Sequence, residues 1–195
     1  MKKSSPLRII HLTLMIILLA SSSISTVLFF SGFEPAVAGK ERMEVILNGC
    51  STMVVMLMLL TGVLYLVHGY KKNAAVYYKA FLLLLVLVNL MVIILDILYA
   101  EKTPLVVIKC VLYAVKIILL LLMAFGKDLG REKTWLLLYV VVGLDIAAMI
   151  VVLIILFTTT FDFSLVGIIA ALLADATIGL AIRGKYADKD SRGTK

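Results

Sequence analysis

Proline occurs three times in this chain, cysteine and histidine twice each, and tryptophan once. Pro6, Pro35 and Pro104 all stand at or beyond the edges of apolar runs. No predicted helix therefore carries the missing N–H and the ring clash that break a helix from within, and proline gives no support to the broken helices found in many transporter sites. Cys50 and Cys110 are too few for a disulfide framework, and neither stands in a CxxC or Cys/His cluster. Both fall in the outer half of their runs, where free buried thiols are expected over a bridge between helices. HExxH, GxSxG and paired glutamates are absent, and no histidine lies near the intramembrane carboxylates. Catalysis needs an activated nucleophile, a metal cluster or a placed acid/base pair. An enzyme, a metal centre and a cofactor are accordingly not expected.

Charge is also scarce. Charged residues make up 16% of the chain and apolar ones 63%, against about 25% and 45–50% in soluble domains. The bilayer is part of this protein's solvent. The net charge of +7 does not point to nucleic acid, because the basic residues are spread over short segments that separate apolar runs, where they set orientation in a membrane.

Six apolar stretches are present, at 7–33, 45–67, 77–99, 104–125, 135–157 and 163–182. Each is long enough to cross ~30 Å of hydrocarbon at a rise of ~1.5 Å per residue. The expected fold is all-α: one polytopic membrane helical bundle over residues 1–184, with six transmembrane helices, followed by a polar, disordered tail at 185–195. Short connections make neighbouring spans antiparallel and adjacent.

Lys2, Lys3, Arg8, Lys71, Lys72, Lys79, Lys127, Arg131, Lys133, Arg183, Lys185, Lys189, Arg192 and Lys195 fall on one side of that bundle, and only Lys40, Arg42 and Lys102 on the other. This split predicts both termini in the cytoplasm of a cell whose plasma membrane holds the protein. Tyr65, Tyr70, Tyr77, Tyr78, Tyr99, Trp135 and Tyr139 lie near span boundaries, as interfacial aromatics do. A rival reading of the first span treats Ala36-Val37-Ala38 as a signal-peptide cleavage site, but the preceding apolar run far exceeds the 7–15 residues of a signal core. Lys79-Ala80-Phe81-Leu82 and Lys133-Thr134-Trp135-Leu136 open two spans alike, which leucine-rich helices also do by chance.

Five charged residues fall within the runs: Asp96, Lys109, Lys116, Asp145 and Asp175. Such groups cost ~2.5–3.5 kcal/mol each at a helix centre, so they turn inward and pair. Depths counted along each span match Asp96 with Lys109 and Lys116 with Asp145. Lys109, Tyr113 and Lys116 share one helix face. Asp175 falls ~10 Å from the inner end of the sixth span and Asn89 ~18 Å from the inner start of the third. Gly167, Ala171, Asp175 and Gly179 recur every four residues, and Gly143 and Ala147 flank Asp145; small residues at such spacing let helices approach. Ser21, Ser22, Ser23, Ser25 and Thr26 gather at mid-depth of the first span, where hydroxyls bond the preceding turn or a neighbour.

Two functions compete. In the first, Lys116, Asp145, Asp175, Asn89 and Tyr113 form the polar site of a small secondary transporter or permease, proton-coupled and acting on a small molecule or ion, with Asp96–Lys109 as an ion pair. In the second, the charges are structural ion pairs in a membrane subunit or scaffold that packs against a protein partner or a second copy. Weaker features receive bland readings: His11 and His68 as interfacial histidines, the Asn48, Cys50, Ser51 and Thr52 patch as capping or packing, and Met53, Met56 and Met58 as apolar filler.

Overall fold

The computed structural model describes residues 6–31, 42–68, 74–100, 103–126, 130–158 and 165–192. Among them the chain is entirely helical: α1 (Pro6–Phe30), α2 (Arg42–His68), α3 (Ala74–Tyr99), α4 (Pro104–Phe125), α5 (Arg131–Thr158) and α6 (Leu165–Arg192). Five of these, α1 to α5, are long and apolar enough to cross a membrane. In lipid every backbone N–H and C=O must be satisfied internally, which a helix achieves within one segment.

Local signals set the ends. Pro104 occupies the first turn of α4, where its missing N–H costs nothing, and Thr103 in extended backbone caps that turn through Val106. At the other end the Gly126 N–H closes on the Leu122 carbonyl at 2.7 Å. The helix α1 stops at Phe30 with a turn at Ser31, short of the expected 33. The Ser31 hydroxyl donates back to Leu28 at 2.9 Å, and Gly32 follows in the sequence. The Ala36-Val37-Ala38 segment lies outside the described residues, as do Lys2, Lys3, Lys40, Tyr70, Lys71, Lys72, Lys102 and Lys127. The helices α2, α3 and α5 start three or four residues before the expected spans, with Glu44 and Glu132 in the first turns of α2 and α5, where carboxylates favour the helix dipole. Likewise α6 continues to Arg192, through most of the segment expected as a disordered tail. Residues 185–192 hold no proline or glycine, so nothing in that stretch terminates the helix.

Consecutive helices pack against one another, and α1 meets α6, closing a ring that α2 also touches α6 to fill. Neighbours run antiparallel: Arg8 at the start of α1 donates to the Leu66 carbonyl near the end of α2, and Tyr65 meets Tyr78 across α2 and α3 at 5.5 Å. The starts of α1, α3 and α5 therefore share one end of the bundle with the ends of α2, α4 and α6. Arg8, Lys79, Lys133 and Arg183 all lie at this basic end. Lys79 places its Nζ 4.3 Å from the centre of the Phe125 ring, a cation–π contact tying α3 to α4, and His68 stacks on Tyr77 at 5.1 Å.

The basic half of the ring is filled. Met15, Leu18, Met58, Leu59, Leu66, Phe81, Leu82, Leu120, Leu138 and Ile178 form one buried apolar cluster drawn from every helix. Outside it, Ile17, Val27, Val76, Val107, Ile118 and Leu136 are more than half exposed. An apolar belt of this extent suits lipid rather than water.

The close helix contacts occur where the sequence did not point. A Cβ at Gly143 would meet nothing within 4 Å, and one at Gly179 only the Leu138 Cδ2 at 3.5 Å. Gly143 precedes Asp145 by two residues, which is ~200° of helix rotation, so it faces away from the carboxylate it was expected to assist. The tight approach is in α2. A Cβ at Gly49 would overlap the Phe29 ring, and one at Gly62 would stand 2.7 Å from the Met15 methyl. We expect Gly49→Ala to destabilise the bundle by about 1–3 kcal/mol through displacement of the Phe29 ring, and Gly143→Ala to be neutral or stabilising by up to ~1 kcal/mol. Thermal unfolding in detergent measures both; equal losses would refute the assignment of the α1–α2 contact to Gly49.

Candidate functional site: a cavity with an intramembrane ion pair

Above the apolar cluster the ring is hollow. A cavity of about 410 Å³ is lined from all six helices: serines of α1, one face of α2 between Ser51 and Met58, one face of α3 between Leu85 and Val92, Tyr113 and Lys116 of α4, Asp145 of α5, and Ala170 with Ala171 of α6. Ser21 and Ser25 line it while remaining exposed, so they stand at its open side. Its size is that of a pocket for a small organic molecule.

Lys116 and Asp145 form the charged wall. The Lys116 Nζ lies 2.5 Å and 2.7 Å from the two carboxylate oxygens of Asp145, with the side chains 3% and 5% exposed. The second pair stands nearer the opposite end, where the Lys109 Nζ lies 2.9 Å and 2.8 Å from the two oxygens of Asp96. Each pair joins adjacent helices, α4 to α5 and α3 to α4. On α4, Lys109 and Lys116 are buried and Tyr113 half-buried, while Val107, Val111, Val115 and Ile118 are exposed. The predicted face is thus turned inward. A charge pair in a low-dielectric setting contributes little net stability, yet removing one partner strands the other at several kcal/mol.

Asp175 is different. It is 7% exposed, and both carboxylate oxygens are buried with no hydrogen-bond partner among the described residues. It does not line the cavity but lies one turn below Ala171, which does, and on the same helix face. There it lies beside the Asp145 carboxyl, close enough for a proton on one to approach the oxygen of the other, and within electrostatic reach of Lys116. Two carboxylates thus share one ammonium.

Of the residues singled out from sequence, Lys116, Asp145, Asn89 and Tyr113 meet at the cavity, with Asp175 just beyond its wall. Asn89 is 3% exposed and donates to the Leu85 carbonyl of its own helix at 2.6 Å. The α2 contribution escaped the sequence reading in part: Ser51 and Thr52 line the cavity rather than merely capping, while Met58, read as apolar filler, is indeed buried in the core, at the base of the cavity. Thr52 also donates to the Asn48 carbonyl at 3.0 Å. His11, read as an interfacial histidine, is buried and bonded to Thr177 Oγ1 at 2.9 Å, locking α1 to α6. A signal for this existed, since His11, Met15, Leu18, Ser22 and Thr26 form the buried stripe of α1 at spacings of four and three. His68 is exposed, as expected at an interface. Cys50 and Cys110 are free thiols. No three His, Cys, Asp or Glu side chains converge as a metal site among the described residues.

Comparison with protein-family models, curated proteins and solved structures finds no match for this chain. The functional reading rests on the cavity and its charges.

Proposed function

We propose that this chain is a small secondary transporter of the plasma membrane, with six spans and both termini cytoplasmic, in which a proton on Asp175 is coupled to a solute in the cavity. The observation that carries this reading is the uncompensated, buried Asp175 carboxyl beside an already satisfied Lys116–Asp145 pair at the wall of a 410 Å³ cavity. Ionisable groups inside a membrane mark ion or proton pathways, and a carboxyl with no fixed partner is free to exchange one. As for the sixth span, residues 165–182 of α6 carry Asp175 as their single charge and extend ~27 Å. The positive-inside preference assigns the basic end to the cytoplasm. The apolar cluster then closes the cavity on the cytoplasmic side.

Asp96–Lys109 and Lys116–Asp145 also favour a second reading, a membrane subunit whose pairs dictate which helices meet. Proteoliposomes containing an internal pH dye separate the two. Presented in turn with a small organic cation, a small organic anion and a neutral solute, the protein should move protons with one class. Silence with all three from correctly inserted protein would favour the subunit. Full activity in the double variant Lys116→Met with Asp145→Leu would remove both residues from the coupling path.

A further inference from the structure

The charge balance and lining of the cavity select among solutes. We infer that the transported solute is a small organic monocation with an apolar body, an alkylated or quaternary amine, exchanged for the proton of Asp175; this rests on the transporter reading of the same cavity. Lys116 and Asp145 neutralise each other at 2.5 Å and 2.7 Å, and Lys109 is likewise held by Asp96. Lys116 would have to give up its bidentate partner to receive an anion. Asp175, in contrast, has two buried oxygens that nothing among the described residues satisfies. With Asp175 ionised, the site carries one negative charge in excess, which one monovalent cation cancels.

The walls decide what kind of cation. Val55, Met58, Leu85, Val88 and Val92 line the cavity with aliphatic surface, and Ser22, Ser51, Thr52 and Tyr113 add hydroxyls to it. A bare metal ion has no use for the aliphatic lining, and no cluster of three acidic, thiol or imidazole ligands is present among the described residues. A volume of about 410 Å³ exceeds what a metal ion needs and holds a compact organic amine with room for water. An amphipathic cation matches both surfaces and the charge.

The exchange balances. The Asp175 O–H bond breaks, the proton passes to water, and one cation enters the adjoining cavity, so the net charge of cavity and carboxyl together is unchanged. The titratable and charged groups facing Asp175 are Asp145 from α5 and Lys116 from α4. From α1, His11 engages Thr177 two residues further along α6. On α2, Glu44 and Cys50 stand toward one end and Tyr65 and His68 toward the other.

The test uses the full-length protein in detergent at pH 6 with minimal buffer. Tetramethylammonium, choline and tetraethylammonium are added in turn, with sodium chloride and sodium acetate as controls. At least one quaternary ammonium should release about one proton per bound cation, fading at pH 9, and Asp175→Asn should abolish the release while eluting as folded protein. Ser22→Ala and Tyr113→Phe should weaken choline binding by about 3–10-fold without changing the proton count, each having lost one hydrogen bond to the choline hydroxyl. Release by sodium chloride equal to that by the amines would overturn the organic assignment. Proton uptake on adding acetate, lost in Asp175→Asn, would overturn the cation assignment but leave the transporter. No proton movement with any solute, in wild type and Asp175→Asn alike, would overturn both.

Discussion

Replacing Lys116 by Met should cost about 3–5 kcal/mol, the penalty for leaving a buried carboxylate without its partner, and deplete folded protein from the membrane. The Asp145 oxygens accept from Lys116 at 2.5 Å and 2.7 Å, with both side chains at most 5% exposed, so loss of the ammonium leaves a buried carboxylate without its counter-charge. Asp175 compounds the loss, since two carboxylates would then share a pocket without a cation. Adding Asp145→Leu should restore most of the stability, because an apolar pair of similar volume escapes the desolvation cost altogether. The measurement is a double-mutant cycle by thermal unfolding in detergent. An additive cycle, with the two single losses summing in the double variant, would show that the residues do not depend on each other.

Neutralising Asp175 should have the opposite signature. Asp175→Asn keeps the side chain's shape but cannot give up a proton, so proton-coupled flux should fall at least 100-fold on the transport reading. Stability should hold or rise. No partner among the described residues is lost with this carboxyl, and Asp175→Ala, which removes the unsatisfied polar atoms, should gain about 1–3 kcal/mol. That gain corresponds to a rise in Tm of several degrees for a chain of this size. A residue whose removal stabilises the fold and silences the protein is kept for function. If Asp175→Asn lowered Tm as strongly as Lys116→Met while flux per folded molecule persisted, Asp175 would be structural.

Helix number and most boundaries were legible from the sequence because hydrocarbon thickness imposes a length on every apolar run. The pairing of Asp96 with Lys109 and Lys116 with Asp145 followed as well: charges on adjacent antiparallel helices at equal depth have little choice of partner. Periodicity found the inward face of α4 for the same reason. It failed for Gly143, where proximity in sequence to Asp145 masked a half-turn of rotation, and for α6, whose polar continuation to Arg192 resembles a tail in composition.

What the sequence alone determined, then, was the set of apolar helices, the basic end they share and the list of charges confined with them. Ring closure was decided only in three dimensions. Contact between α1 and α6 joins segments from opposite ends of the chain, through pairs such as His11 with Thr177, and no local pattern specifies which sides of two apolar helices meet. That closure brings Ser51 and Thr52 of α2 opposite Lys116 and Asp145 around one cavity. It also leaves Asp175 buried beside a lysine already taken. A one-dimensional count shows one carboxylate too many; the packing of six helices determines which one goes without a partner.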